Sequence, residues 1–197
     1  PEKFNGLSVR YSSLSPTVPN SRNIVNAGGT GSNNASIWLI NWSPQGGISG
    51  VFPKGSKAGI SHTARSKPET VLDAANNSFE AYIDVFKWKH GLAVEDWRQA
   101  SRICNIDVNA LALGQNAPDL LDLMAQAMDR IENPSKGTSY FYMNRRLKSF
   151  LRRQAKQQVS NGGGLNYDNV EGTPIVDFHG VPVHQTDALL STEAAVS

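Results

Sequence analysis

Hydrophobic residues in the first half of the chain recur with the spacing of β-strands. The stretch ASIWLINW (35–42) holds a short apolar run between the polar segments SNN and SPQGG, which is typical of a strand. The following ISGVF (48–52) is placed to pair back on it as a hairpin across a five-residue turn. Further on, FEAYIDVFKWKHGLAVE (79–95) alternates, and its apolar positions change parity after Val85, which indicates a bulge or a strong twist.

The alternating stretch 79–95 predicts an element longer than a small core needs. Fully extended, it would reach about 50 Å at roughly 3.3 Å per residue, whereas ordinary strands stop at about ten residues. The preceding residues 53–78 show no sustained period. Since an irregular segment of that length inside a compact domain is usually functional, we predict a functional loop or an assembly arm there.

The other segments before residue 118 carry weaker patterns. Residues 1–36 are rich in Ser, Asn and Gly and predict a loop-rich tether. The stretch EDWRQASRI (95–103) fits a short helix with Trp97, Ala100 and Cys104 on one side. Residues 105–117 are then a connector.

Helical periodicity dominates the second half of the chain. Asn116 is placed to cap a helix over 118–132 that has Pro118 in its first turn, and Asn144 is placed to cap a second helix over 145–159. Each helix carries its apolar residues on one stripe, which predicts a packed face. The core of this part is predicted to contain Leu121, Met124, Met128, Leu147, Phe150 and Leu151.

Strands alternate with these helices. SYFYM (139–143) predicts a strand between them, and IVDF (175–178) with VPV (181–183) predicts a hairpin that turns at His179. Helices and strands mixed in this order predict an α+β fold.

The composition is that of a globular protein without extreme charge. The chain has 197 residues, of which 39% are hydrophobic and 18% charged, and its formal charge is +2. This balance does not indicate a protein defined by polyanion binding. No apolar run reaches the length of a membrane span, and no signal peptide is visible. Cys104 is the single cysteine, so an internal disulfide is excluded and a reducing compartment is favoured.

The charges are distributed unevenly. Residues 133–167 hold seven basic and no acidic residues, which leaves 12 basic against 17 acidic residues elsewhere, a balance of −5. The predicted helix 118–132 lies on the acidic side. Elements of opposite sign suit contacts between identical copies, although plain solvation accounts for many such faces. The candidates for inter-subunit contact are Arg145, Arg146, Arg152, Arg153, Lys54 and Lys57.

The reactive residues do not form a recognisable catalytic or metal-binding pattern. His179 and His184 lie across a hairpin without further ligands at metal-binding spacing. The glycine-rich GGTGSNN (28–34) lacks the Lys-Ser/Thr of a phosphate loop, and no G-x-S-x-G elbow is present. An apolar setting favours an inert thiol at Cys104. The sequence predicts no enzyme, no cofactor and no metal site.

Five segments in order resemble the major capsid proteins of tailed bacteriophages. They are PEKFNGL, IWLINWSPQGGISGVFPKGSKAGI, FKWKHGLAVEDWRQASRICNID, DLLDLMAQAMDRI with FYMNRRLKSFLRRQ, and FHGVPVHQTDALL. The resemblance implies a Hong Kong 97-type capsid fold. It implies a peripheral-domain-like part over 1–117, with the tether, the hairpin and the long strand, and an axial-domain-like part over 118–190, followed by a tail over 191–197. In the family, the N-terminal arm, extended loop and long helix would lie before Pro1.

The same resemblance implies a structural function. Copies of such a protein form hexamers and pentamers that tile an icosahedral head around double-stranded DNA, without sequence-specific recognition. The implied location is the virion capsid, assembled in the host cytoplasm without a membrane. The implied partners are other copies of the chain, with scaffolding, portal or cement proteins as further candidates.

A nucleic-acid-binding module is the alternative function. It would use the basic helix 145–159 and would bind DNA tightly with a steep dependence on salt.

Overall fold

The structure is a computed structural model that describes the backbone of residues 6–55, 59–114, 116–158, 165–170 and 173–197. Side chains are described for these residues except 156–158, 165–170 and 173–176. The chain divides into two compact units, Pro1–Ser49 with Val94–Ser197, and Gly50–Ala93. We call the first the sheet unit and the second the ribbon unit. The boundaries of these two units differ from the predicted boundary after residue 117. The assignment of 1–117 as peripheral-domain-like and 118–190 as axial-domain-like therefore stays a prediction.

The strands are β1 (Ile24–Asn26), β2 (Asn34–Trp42), β3 (Ile48–Val51), β4 (Ile60–Ala64), β5 (Glu69–Leu72), β6 (Ser78–Ala81), β7 (Asp84–Trp88), β8 (Gly91–Val94), β9 (Ala100–Asp107), β10 (Thr138–Met143), β11 (Leu165–Val170), β12 (Thr173–Phe178) and β13 (Val181–Gln185). The α-helices are α1 (Val108–Leu113), α2 (Leu120–Asp129) and α3 (Arg145–Gln158). Short 3₁₀ turns cover Leu7–Val9, Pro19–Asn23, Trp97–Gln99 and Pro134–Lys136.

A mixed sheet organises the sheet unit, with the strand order β1-β9-β2-β10-β13-β12-β11. The pairs β1/β9 and β10/β13 are parallel, and the other neighbours are antiparallel. The predicted strands at 35–42 and 139–143 are confirmed as β2 and β10, and the hairpin at His179 is confirmed as β12/β13. The predicted β2/β3 hairpin is wrong, because Trp42 pairs with Ile48 in the parallel sense after the loop between them.

Strand β9 replaces the helix predicted over 95–103. Only Trp97–Gln99 form a helical turn, and the strand begins at Ala100. Ile103 and Cys104 are both fully buried although they point to opposite faces. A strand buried on both faces loses its alternating pattern, which is why its residues could be read as a helix.

Helix α1 lies in the segment predicted as a connector. Asp107 caps it, since its carboxylate accepts hydrogen bonds from the amides of Asn109 (2.8 Å) and Ala110 (3.2 Å). Gly114 ends it in the left-handed conformation, with φ 69°.

Helices α2 and α3 pack over one face of the sheet. Their core contains Leu121, Met124, Leu147, Phe150 and Leu151, with Met128 partly buried against it. These side chains join Leu39 of β2, Phe141 of β10 and Val183 of β13 in one cluster.

The caps of these helices only partly follow the sequence prediction. The amide of Leu147 donates to the side chain of Asn144 at 2.8 Å, so the predicted cap of α3 is confirmed. Helix α2 instead begins at Leu120 with Asp119 as its cap, so the prediction of Asn116 is wrong. Gln154 of α3 accepts from the Leu120 amide (3.0 Å) and donates to the Pro118 carbonyl (2.9 Å), which joins the two helices.

Arg102 is buried on the other face of the sheet, with 6% of its surface exposed. Its guanidinium donates to the Tyr11 carbonyl (2.7 Å), to the Ser36 hydroxyl (3.0 and 3.1 Å) and to the Glu193 carboxylate (2.8 Å). It also lies 5.2 Å from the ring centre of Trp38. The charge is therefore paired and solvated by protein groups, as burial requires.

Residues near the end of the sequence are bonded into the sheet unit. Glu193 exchanges backbone hydrogen bonds with Asn34, and the Ala195 amide donates to the Gly31 carbonyl at 3.0 Å. The Val196 amide donates to the Asn105 side chain at 2.7 Å. The segment 193–197 is thus an ordered part of the fold.

The ribbon unit contains two antiparallel strand pairs, β4/β7 and β5/β6. The predicted long strand over 79–95 is wrong, because β6, β7 and β8 are separate and pair with β5, β4 and β3. Strands β4 and β5 also give structure to part of the segment predicted as irregular. Asp73 forms the turn between β5 and β6, with its carboxylate accepting from the amides of Ala75 (2.8 Å) and Asn77 (2.9 Å).

Leu151→Ala should lower the free energy of unfolding by about 2–5 kcal/mol, because the side chain is fully buried in the core. Leu151→Asp should abolish folding, since it places a charge at the same position. Urea denaturation followed by circular dichroism measures both effects. Ser149→Ala, at an exposed position of the same helix, is the control. Unchanged unfolding of Leu151→Asp would contradict the packing of α3.

Candidate assembly surfaces

The basic residues of α3 divide into bonded and unbonded side chains. Arg145 forms an ion pair with Asp187 at 2.6 Å, and the Arg153 guanidinium lies 4.3 Å from the ring centre of Phe150. Arg146 and Arg152 have no hydrogen-bond, ion-pair or ring partner among the described residues, and both are exposed. Of the four predicted arginines, these two are the most available to a neighbour.

Lys148 lies between these arginines and is half-buried. Its ammonium donates to the Val183 carbonyl at 3.4 Å. Burial lowers the pKa of Lys148, and the charge of Arg152 lowers it further. The Lys148 ammonium is therefore already bonded within its own subunit.

Of the two predicted lysines, the structure places Lys54 in the turn after β3. Lys54 is exposed. Lys57 lies outside the described residues.

The ribbon unit has an unusual surface, because none of its described residues is buried. Phe86 is 66% exposed, Trp88 62% and Ile60 68%. Other large apolar side chains of the unit that are exposed are Val51, Phe52, Leu72, Phe79 and Tyr82. Soluble monomers rarely expose large apolar patches, so the concentration of eight such side chains in this unit makes it a candidate for contact with a partner.

One face of the β4/β7 pair collects aromatic rings. Ile60 pairs with Trp88 and His62 with Phe86 across the strands, which places all four side chains on the same face. The His62 ring stacks on Phe86, with centroids 4.5 Å apart. We call these four residues the aromatic face of the ribbon. The reverse face carries Ser61, Thr63, Val85 and Lys87.

A second aromatic surface lies on the sheet unit. Trp42 donates a hydrogen bond from its indole nitrogen to the Tyr142 hydroxyl at 2.9 Å. The His184 ring lies 4.9 Å from Tyr140 and 5.8 Å from Tyr142. Strand alternation directs these rings away from the helices, and burial raises the pKa of Tyr142. We call Trp42, Tyr140, Tyr142 and His184 the aromatic shelf.

The sequence reasoning missed both aromatic surfaces. The apolar residues of 79–88 occupy both parities, a pattern that predicts one long strand with a bulge. The signal for the shelf was the alternation in SYFYM, where Tyr140 and Tyr142 share a parity opposite to Phe141. Only the pairing of distant strands shows that Trp42 and His184 join them.

No potential metal site and no membrane helix is found among the described residues. They contain no group of three or more His, Cys, Asp and Glu side chains that could hold a metal ion. No helix among them is both long and apolar enough to cross a membrane. Cys104 is buried, and burial raises the pKa of its thiol to about 11, so thiolate is scarce near neutral pH.

Arg145→Gln should raise the pKa of Asp187 toward its ordinary value of about 3.9. The hydrogen bond from Arg145, helped by its charge, holds the pKa of Asp187 below that value. The pair therefore stabilises the fold above the unfolded pKa, and that contribution is lost as the pH falls through the folded pKa. An NMR titration of the carboxyl carbon measures the shift.

Arg146→Gln is the matched control, because Arg146 adjoins Arg145 but has no partner among the described residues. It should leave the pKa of Asp187 unchanged. Equal effects of both substitutions would show that Arg145 is not held inside the subunit.

Comparison with known proteins identifies the family. The family model Major capsid protein GP7 matches residues 1–197, the whole chain. A chain in the near-atomic-resolution cryo-EM structure of bacteriophage epsilon15 aligns with a TM-score of 0.66 and 28% sequence identity. The alignment covers 100% of this chain and 59% of that chain. No curated protein sequence matched. The chain belongs to the phage family Major capsid protein GP7, and its α+β architecture is a Hong Kong 97-type capsid fold.

Proposed function

We propose that the chain is a structural, non-enzymatic part of a coat subunit whose copies associate as hexamers and pentamers. These would close into an icosahedral head around double-stranded DNA, assembled in the host cytoplasm. Scaffolding, portal or cement proteins are additional candidate partners. Family membership and the likeness to an epsilon15 chain support the proposal. Many weak contacts suffice for such a shell, because closure multiplies them.

The ribbon unit is the observation that carries this proposal. Two-stranded ribbons are at best marginally stable in water, and this one has no buried residue among those described. A shell supplies a neighbouring copy against which the exposed apolar side chains can pack. Without such a neighbour, the exposed apolar side chains of the ribbon would promote aggregation.

Phe86→Ser combined with Trp88→Ser should greatly reduce assembly, because it removes the two largest apolar side chains of the aromatic face. The measurements are electron microscopy and sedimentation of the coat protein expressed at its natural length. Folding of the sheet unit should be unchanged, as judged by near-ultraviolet circular dichroism, because none of its core residues lies in the ribbon.

A matched control replaces Val85 and Lys87 with Ser on the reverse face of the same strand. This variant carries the same number of serines, and it should assemble nearly as well as the unmodified protein. The ribbon would be excluded as an assembly element if the Phe86/Trp88 variant formed normal particles.

The two unpaired arginines bear on both the capsid function and its alternative. In the capsid proposal, Arg146 and Arg152 reach a neighbouring copy, whereas Arg145 and Arg153 are already engaged within the subunit. In a nucleic-acid-binding module, the same two arginines would contact phosphates.

Replacing Arg146 and Arg152 together with Gln separates these functions. Each phosphate contact contributes about 0.9 to the slope of log affinity against log salt concentration. If both arginines contact phosphates, the magnitude of this slope should therefore fall by about 1.8 in the variant. We expect dissociated subunits to bind duplex DNA weakly, with a slope that changes by less than about 0.9. Filter binding at several salt concentrations gives the slope. Tight DNA binding whose salt slope falls by about 1.8 in the variant would favour the nucleic-acid module.

A further inference from the structure

We propose that the aromatic face of the ribbon in one copy docks on the aromatic shelf of the sheet unit in the next copy. The inference rests on the proposed assembly function and names the surface that receives the ribbon. It joins Ile60, His62, Phe86 and Trp88 of one subunit to the four rings of the shelf in another.

The shelf is the only described cluster outside the ribbon that gathers several partly exposed rings. Among the residues whose side chains are described, the exposed large apolar residues of the sheet unit are Val9, Val18, Leu113 and Leu190. They belong to four different segments of the chain. The shelf instead collects Trp42, Tyr140, Tyr142 and His184 from β2, β10 and β13, which pair in register. A single apolar face can therefore cover all four rings at once.

The shelf is also held in place before any partner arrives. The hydrogen bond from Trp42 to Tyr142 and the ring contacts of His184 fix the side chains. Its strands lie within the main sheet, between β9 and β12. Rigid aromatic surfaces lose little conformational entropy on binding, and Tyr and Trp are enriched among the residues that dominate interfaces.

Charge does not oppose this contact. The four shelf residues include no carboxylate, lysine or arginine. On the ribbon, Asp84 lies on the same face, and its carboxylate is 3.4 Å from His62, so this acidic group already has a partner. Docking therefore buries rings against rings without isolating a charge, which would be costly.

The exposed rings supply part of the area that a stable contact needs. A fully buried aromatic residue contributes about 150–250 Å², and Phe86 (66% exposed) and Trp88 (62%) can bury roughly two thirds of that, so together they supply about 200–330 Å². Together with Ile60 and His62 they make up a large share of the roughly 800 Å² that each partner buries in a standard interface. The shelf offers rings of matching size.

The two surfaces are different, and this points to a neighbouring copy arranged head to tail. When a surface of one copy binds another surface of the next, every copy offers one of each, and the contact repeats around a ring or along a lattice. Such a heterologous contact is compatible with rings of five and of six. A twofold contact of the ribbon with itself would leave the shelf uncovered.

Cysteine cross-linking between two differently tagged coat proteins tests the contact. One carries Ala64→Cys, beside the aromatic face, and the other Thr138→Cys, beside the shelf, so that all eight contact residues stay in place. The two proteins are assembled together and treated with a short bismaleimide. We expect a mixed dimer that forms only in assembled particles. Lys87→Cys on the reverse face replaces Ala64→Cys as the matched control, and it should give no mixed dimer. Cys104 reacts poorly because it is buried, and the unmodified protein measures its background.

Hydroxyl-radical footprinting of the unmodified protein provides a second test that depends on no substitution. We expect Phe86, Trp88, Tyr140 and Trp42 all to lose labelling when subunits become particles. Particles in which Phe86 and Trp88 are protected while Tyr140 and Trp42 label as in free subunits would overturn the inference and leave the proposed function intact. Absence of particles from the unmodified protein would instead refute the proposed function, and the docking with it.

Discussion

The buried guanidinium of Arg102 is the constraint on which the sheet unit depends. Taking such a charge out of water costs several kcal/mol unless its donors are met by well-placed acceptors. Here the acceptors come from Tyr11, Ser36 and Glu193, which lie far apart in the sequence. One side chain therefore fixes the N-terminal segment, a central strand and residues 193–197 relative to one another. On the face opposite the helices, this network covers the sheet around Arg102, whereas the shelf on the same face stays partly exposed.

Local patterns predicted the parts of the fold that local interactions determine. The cap at Asn144 and the stripe of Leu147, Phe150 and Leu151 depend on residues three and four apart, so the sequence alone located α3. The position of β9 could not be found in this way, because its burial on both faces comes from partners distant in the chain. The same holds for the shelf, which exists only once β2, β10 and β13 pair. Charge counting located the arginines, but only the structure separates Arg145, bound to Asp187, from Arg146.

The buried core and most of the exposed large apolar side chains lie in different parts of the molecule. The sheet unit contains every buried apolar residue among those described, whereas the ribbon presents its apolar side chains to solvent. A coat subunit must be stably folded as a monomer and must also associate with other copies. These two requirements conflict if the same apolar residues have to meet both. Their separation allows the ribbon to vary in its contacts without loosening the core.

The acceptors of Arg102 also set an order of events during synthesis. Arg102 and Glu193 are 91 residues apart. Because the ribosome adds about 5–20 residues per second, Glu193 is synthesised on the order of 5–20 s after Arg102. During that interval Trp38 and the strands around it lack the segment that closes this face. Tyr140 also emerges well before His184, so the shelf is incomplete for part of the same period. Both parts of the sheet are therefore completed late in synthesis, well after strands β2 and β9 have emerged.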